Sequence, residues 1–224
     1  MIVELISYRI ALSEFADFVE IHAVEMFRMM EIHLSMRGAF TPGSGDMNCV
    51  TFLAFHADYK VRDEGWNSLA TNPSWREFLR GPGSCLDAAE STILNPAAFS
   101  PLREPADVEA AITARQGQQP MLFELRTYTA RPGQMPAVLK TLAEEGNPLT
   151  HQFVEWPVAY FTAETGLANR VIMLWAYSST SERAKRKSRM LPDPRFQELG
   201  SRFNPNFAEQ RADFLIPTSF SPLH

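Results

Sequence analysis

The chain has 224 residues, 45% hydrophobic and 21% charged, the balance of a globular protein with one large domain or two small ones. A formal net charge of -5 excludes the overall positive field that drives non-specific nucleic-acid binding. No apolar run approaches the ~20 residues of a membrane span. Neither nucleic acid nor a membrane is therefore an expected partner.

The first element is a strand, Ile2 to Arg9, within the alternating stretch MIVELISY. It follows Met1 directly, with no secretory signal, so a cytoplasmic location is expected. An amphipathic helix follows over Ser13 to Met36. A hairpin, Ala39 to Ala57, turns at Gly43-Ser44-Gly45-Asp46 and is followed by helical segments broken at Asn72-Pro73. A last strand, Ser91 to Pro96, runs into the phrase ILNPAAFSPL (Ile93 to Leu102). Cys49 and Cys85 have no metal-like spacing and read as free thiols.

The polar stretch Arg103 to Pro120 reads as a linker with a short exposed helix over Ala106 to Arg115. Then the pattern returns. MLFELRTY (Met121 to Tyr128) repeats MIVELISY. AYFTAETGLANRVIML (Ala159 to Leu174) repeats GAFTPGSGDMNCVTFL (Gly38 to Leu53). Asp193-Pro194 repeats Asn72-Pro73, and FLIPTSFSPL (Phe214 to Leu223) repeats ILNPAAFSPL. The second set of elements is a strand over Leu122 to Thr129, a helix over Gly133 to Phe153, a hairpin over Ala159 to Tyr177 and a last strand over Ala212 to Pro217. The chain thus divides into residues 1–102, a linker 103–120 and residues 121–224, an internal duplication. Strand-helix-strand-strand-helix-strand is a ferredoxin-like unit, an α+β fold. Helices cover one face of such a sheet, and two units closing their bare faces together give a barrel.

FELRTY followed by Pro132-Gly133, then YFTAETGLANRVIMLWAY, the basic helix ERAKRKSRM, a DP step and FSPL resemble a NIPSNAP-family domain over nearly all of the second unit. The first unit is a degenerate copy: Ile6 replaces the motif's arginine, and LAFH stands where the second unit has LWAY. The resemblance implies two fused domains of the dimeric α+β barrel superfamily, paired into one pseudo-dimeric barrel, and further association into a homodimer. It implies little chemistry. Eukaryotic members are linked to mitochondria and vesicle traffic, whereas Met1 leads here straight into a strand.

Four sets of residues are candidates for function. Glu124, Arg126 and Tyr128 share one face of a strand. With the apolar Phe123, Leu125 and Thr127 face packed on the helices, they are expected to line the barrel interior opposite Glu4 and Tyr8. There they would bind a carboxylate or enolate and move a proton; the structural alternative is an ion pair fixing the seam between units. His22 and His33 lie about 20° out of line and about 16 Å apart on an ideal helix, with Met26 and Met29 between them on its apolar face. No cofactor is expected. By analogy with haem-holding barrels of the superfamily, the alternative is haem or copper at one of these histidines; the structural reading is two hydrogen-bonded histidines with methionine filler. Trp175 and Tyr177, matched by Ala54 and His56, form either an aromatic pocket wall or barrel core. The smaller Ala54 leaves room on one side of the pseudo-twofold, so a pocket there would be single. Arg183, Lys185, Arg186, Lys187 and Arg189 read as a solvated helix face. Two functions follow: an enzyme or carrier for a small, partly apolar molecule, or a non-catalytic scaffold with a solidly packed barrel.

Overall fold

A computed structural model describes all 224 residues. Eight strands, β1 (Ile2–Ile10), β2 (Met36–Pro42), β3 (Cys49–His56), β4 (Leu86–Pro96), β5 (Leu122–Ala130), β6 (Trp156–Ala163), β7 (Arg170–Tyr177) and β8 (Phe207–Pro217), form one closed antiparallel barrel in the order β1-β3-β2-β8-β5-β7-β6-β4. The first four strands belong to one repeat and the last four to the other. Both carry a register shift at the end of the first strand, at Arg9/Ile10 and Thr129/Ala130, and another early in the hairpin, at Met36/Gly38 and Pro157/Ala159. The hairpin turns place Gly45 and Gly166 at φ +80° and +79°, a conformation that glycine adopts without a Cβ clash. β4 and β8 begin earlier than their apolar patterns predict, because their first halves, LDAAE and FAEQR, are largely exposed and carry no inward alternation.

The repeats join through two short ladders, Phe40–Pro42 of β2 with Leu215–Pro217 of β8, and Leu94–Pro96 of β4 with Phe161–Ala163 of β6. The duplicated FSPL phrase fastens them. Ser100 Oγ accepts the Tyr160 amide at 3.0 Å and donates to the Leu102 carbonyl at 3.1 Å. Ser221 Oγ accepts the Ala39 amide at 3.0 Å and donates to the Leu223 carbonyl. Each tail crosses to the other repeat's hairpin and satisfies a buried backbone group there. The chain carries two such ends because the barrel has two seams.

Period-two alternation decides what fills the barrel. Val3, Leu53, Phe55, Phe123, Ile172 and Leu174 point inward into a core built from both repeats, where Phe40 and Phe123 meet edge-on at 5.1 Å between ring centroids. The linker helix, Pro105–Arg115, is not merely an exposed connector: Val108 is fully buried in that same core. Away from this apolar plug the interior becomes polar. Ser7, Thr51, Thr127 and Thr129 line a funnel of about 280 Å³ open to solvent.

The other face of the barrel carries each repeat's helices. Its apolar residues form two further cores, one per repeat, around Phe18, Met26 and Phe52 and around Val138, Tyr160 and Met173. In each repeat the long helix contains a π turn, Phe18–His22 in the first and Leu142–Gly146 in the second. A π turn lengthens the hydrogen-bonded step to five residues. Hence Phe18 and Ala23, and likewise Leu142 and Asn147, are both buried although five apart. No helix is long and apolar enough to cross a membrane.

Candidate active site

Glu124, Arg126 and Tyr128 do share a strand face, but it is the helix-facing side of β5. The expectation that they line the barrel opposite Glu4 and Tyr8 is therefore corrected: Phe123 and Leu125 take the interior, where an apolar core needs them. Glu4 and Tyr8 likewise face their own repeat's helices, Tyr8 within its apolar core with its hydroxyl pushed up to about 12 by burial and the Glu4 charge.

What holds two fully buried glutamates is a pair of side chains four residues apart on the helix after each hairpin, one turn presenting both to the sheet. In the first repeat the helix Tyr59–Thr71 supplies Arg62 and Trp66. Arg62 donates from Nε and Nη2 to the two Glu4 oxygens at 3.0 and 2.7 Å. Trp66 Nε1 donates at 2.9 Å and Ser91 Oγ at 2.5 Å, while His56 Nε2 stands 3.4 Å away. Burial alone would raise the Glu4 pKa. The His56 contact and the hydrogen bonds from Arg62, Ser91 and Trp66 outweigh it and bring the carboxyl down to about 2. One carboxylate faces one guanidinium and is saturated with donors, the arrangement of a structural ion pair.

In the second repeat the helix Thr180–Met190 supplies Arg183 and Lys187. Arg183 donates to both Glu124 oxygens at 2.9 Å. Arg126 Nη1 donates to Oε1 at 2.7 Å, and Lys187 Nζ lies 4.0 Å from that oxygen, beyond hydrogen-bond reach. Burial pushes the Glu124 carboxyl up, but Arg183, Lys187 and Arg126 more than reverse this, so its pKa falls. Arg126 also donates to the Tyr128 hydroxyl from Nε at 2.9 Å. Its guanidinium and the Lys187 ammonium both stand over the Trp175 ring, at 4.8 and 4.9 Å from the centroid. Three cations thus surround one carboxylate. The least comfortable is Lys187: burial and the Arg126 charge bring its ammonium down to about 7. Ile6 and Trp66 of the first repeat occupy the places of Arg126 and Lys187, so Arg62 is the one guanidinium on Glu4.

Beside the cationic cluster lies a cavity of about 260 Å³ between sheet and helices. Arg126, Tyr128, Trp175, Lys187 and Asn147 bring polar or aromatic edges to it, and Met173, Met190, Leu199 and Phe203 line the rest. Asn147 is 5% exposed and its Nδ2 has no hydrogen-bond partner. Asn147 is the first residue after the second repeat's π turn, and the offset between the repeats sets the buried, apolar Met26 and Phe27 in its place in the first.

Trp175 is a cavity wall and belongs to the helix-side core, not to the barrel interior, its Nε1 tied to the Tyr160 hydroxyl at 3.2 Å. Tyr177 is buried on the same side, its hydroxyl pushed above its ordinary pKa by burial and the Glu124 charge. The pocket lies in the repeat that carries Trp175, and the space beside Ala54 is occupied by the first repeat's own core. His22 and His33 do not sit at the centre of a buried face. The π turn breaks the 3.6-residue phase between them, and both are half-buried. His33 has both ring nitrogens engaged, Nδ1 with Ser68 Oγ at 2.9 Å and Nε2 with Asn72 Nδ2 at 3.1 Å. Asn72 Oδ1 caps the next helix by accepting the Ser74 amide, so its Nδ2 is the donor to His33. Arg183 and Lys187, read as solvated, are instead the inward stripe of their helix. Their spacing of four, with the buried Met190 three residues further, is the signal that marks it. Asn147 had no such signal, because a π turn has no known pattern in these letters.

Comparison with known proteins agrees with the architecture. The chain is 29% identical over 184 residues to Protein NipSnap homolog 3A of Homo sapiens, covering 80% of this chain and 68% of that protein. It is 24% identical over 186 residues to the Protein NipSnap homolog of Dictyostelium discoideum, covering 80% and 74%. In fold it is similar to a putative monooxygenase from Fusobacterium nucleatum, with a TM-score of 0.62, 11% identity, and coverage of 96% of this chain and 91% of that one. The NIPSNAP family model matches twice, over residues 3–101 and 123–222, and the chain belongs to the NIPSNAP family.

Proposed function

We propose that the cavity of the second repeat is the active site of an enzyme acting on a small, partly apolar anion. The observation that carries this reading is the charge balance at the cavity edge: Arg126, Arg183 and Lys187 around the single carboxylate of Glu124. Buried charge without a partner is costly, and a ligand carboxylate or enolate would neutralise the excess. The apolar walls would take the rest of the ligand, whose size is on the order of ten heavy atoms for such a volume. Glu124, itself held by Arg183, anchors Arg126, Arg126 pairs with the anion, and Tyr128 and Asn147 donate hydrogen bonds to it. Lys187, poised near neutrality, exchanges a proton with it. The expected homodimer belongs to the same proposal, with sedimentation velocity as its check; the barrel itself closes within one chain and asks for no second copy.

The test is calorimetric titration with 3-phenylpropanoate at pH 8 in buffers of different ionisation enthalpy. An anion beside Lys187 favours its charged form, so binding should take up a proton, and Arg126→Met should weaken affinity at least tenfold. Absence of saturable binding, or equal binding by the variant, would overturn the proposal.

A further inference from the structure

We infer that Lys187 is a nucleophilic amine that condenses with the carbonyl carbon of a small oxo acid whose carboxylate is held by Arg126. This rests on the anion site proposed above and adds a reaction to it. The amine and the Arg126 guanidinium stand 4.0 and 2.7 Å from the same Glu124 oxygen and flank the same Trp175 ring, so they are neighbours. A 2-oxo acid carries its carboxylate and its electrophilic carbon one bond apart, which matches such a pair. The Lys187 side chain is 15% exposed, and Glu124 is an acceptor only, so once the proton leaves it does not engage the amine's lone pair. A lysine desolvated in an apolar pocket beside another cation is the setting in which an amine becomes nucleophilic near neutral pH; burial and Arg126 supply that here.

Two further groups fit the chemistry. Tyr128 accepts from Arg126 Nε and keeps its own proton for donation. Asn147 presents an unpartnered N–H into the cavity. In the step, the Lys187 nitrogen pair forms the C–N bond, and the carbonyl π pair moves to oxygen, which takes a proton to give the carbinolamine. Loss of that hydroxyl as water, with a proton from nitrogen, leaves the imine. Amine plus ketone gives imine plus water, with no oxidant or reductant.

The probe is phenylpyruvate with sodium cyanoborohydride on the whole protein, followed by peptide mapping. Reduction of the imine fixes an adduct equal in mass to the acid less one oxygen atom. Lys60, Lys140 and Lys185 are the remaining lysines and serve as internal controls. The expected result is labelling of Lys187 at least tenfold faster than of any of them, suppressed by 3-phenylpropanoate and absent in Lys187→Met. Equal labelling of all four lysines overturns the inference. Saturable 3-phenylpropanoate binding without selective labelling overturns the nucleophile and leaves the anion site standing; failure of both removes both.

Discussion

Replacing Glu4 by glutamine separates a structural ion pair from a functional one. Glu4 is fully buried and its pKa falls from 4.5 to about 2, because the His56, Arg62, Ser91 and Trp66 contacts outweigh burial. At 1.36 kcal/mol per unit, the depression is linked to about 3 kcal/mol of stability. A carboxylate whose folded pKa is depressed contributes fully above its unfolded pKa, and the contribution is lost as pH falls towards its folded pKa. Glu4→Gln should therefore cost about 3 kcal/mol at pH 7 and roughly half that or less at pH 3. The assay is urea unfolding of both proteins at the two pH values; taking the difference cancels the other carboxylates. An equal cost at both pH values would show that Glu4 is not held ionised by its donors, and the reading of the first repeat as a closed, structural copy would fail. Binding of 3-phenylpropanoate should be unchanged in Glu4→Gln.

Lys187→Met should stabilise the protein, because a lysine with a folded pKa near 7 costs stability below that pH and is relieved as pH rises towards its ordinary 10.5. A gain on the order of 2 kcal/mol is expected in unfolding at pH 6, shrinking by pH 10, alongside lost labelling. Ser100→Ala and Ser221→Ala should each cost about 1–2 kcal/mol by leaving a buried amide unsatisfied, at Tyr160 and Ala39 respectively. As the two seams are separate, the double variant should show the sum in chemical unfolding. Val108→Asp buries a charge in the barrel plug and should cost about 3 kcal/mol or more, read as a lowered Tm, whereas the exposed Glu109→Ala should move it little.

The duplication was legible because matched residues recur at a near-constant offset from strand to strand. The purpose of the repeated ending was not, since the role of Ser100 and Ser221 depends on seams that exist only once the barrel closes. Alternation correctly grouped Glu124 with Arg126 and Tyr128, but it is blind to which side is the interior. Here the barrel takes the apolar face and the helices cover the polar one, because the Thr180–Met190 helix brings its own cations to neutralise Glu124. Arg183 and Lys187 were readable from their spacing and were obscured by the basic run around them. His22 and His33 were misplaced, and Asn147 overlooked, for one reason: each long helix contains a π turn, and a phase counted at 3.6 residues per turn slips there.

The most direct measurement is a crystal structure of the protein soaked with 3-phenylpropanoate. Ligand density is expected in the second repeat, with the carboxylate at Arg126 and the ring among Met173, Met190 and Phe203, and none beside Glu4. Density only in the funnel lined by Ser7 and Thr127, or equally in both repeats, would contradict this.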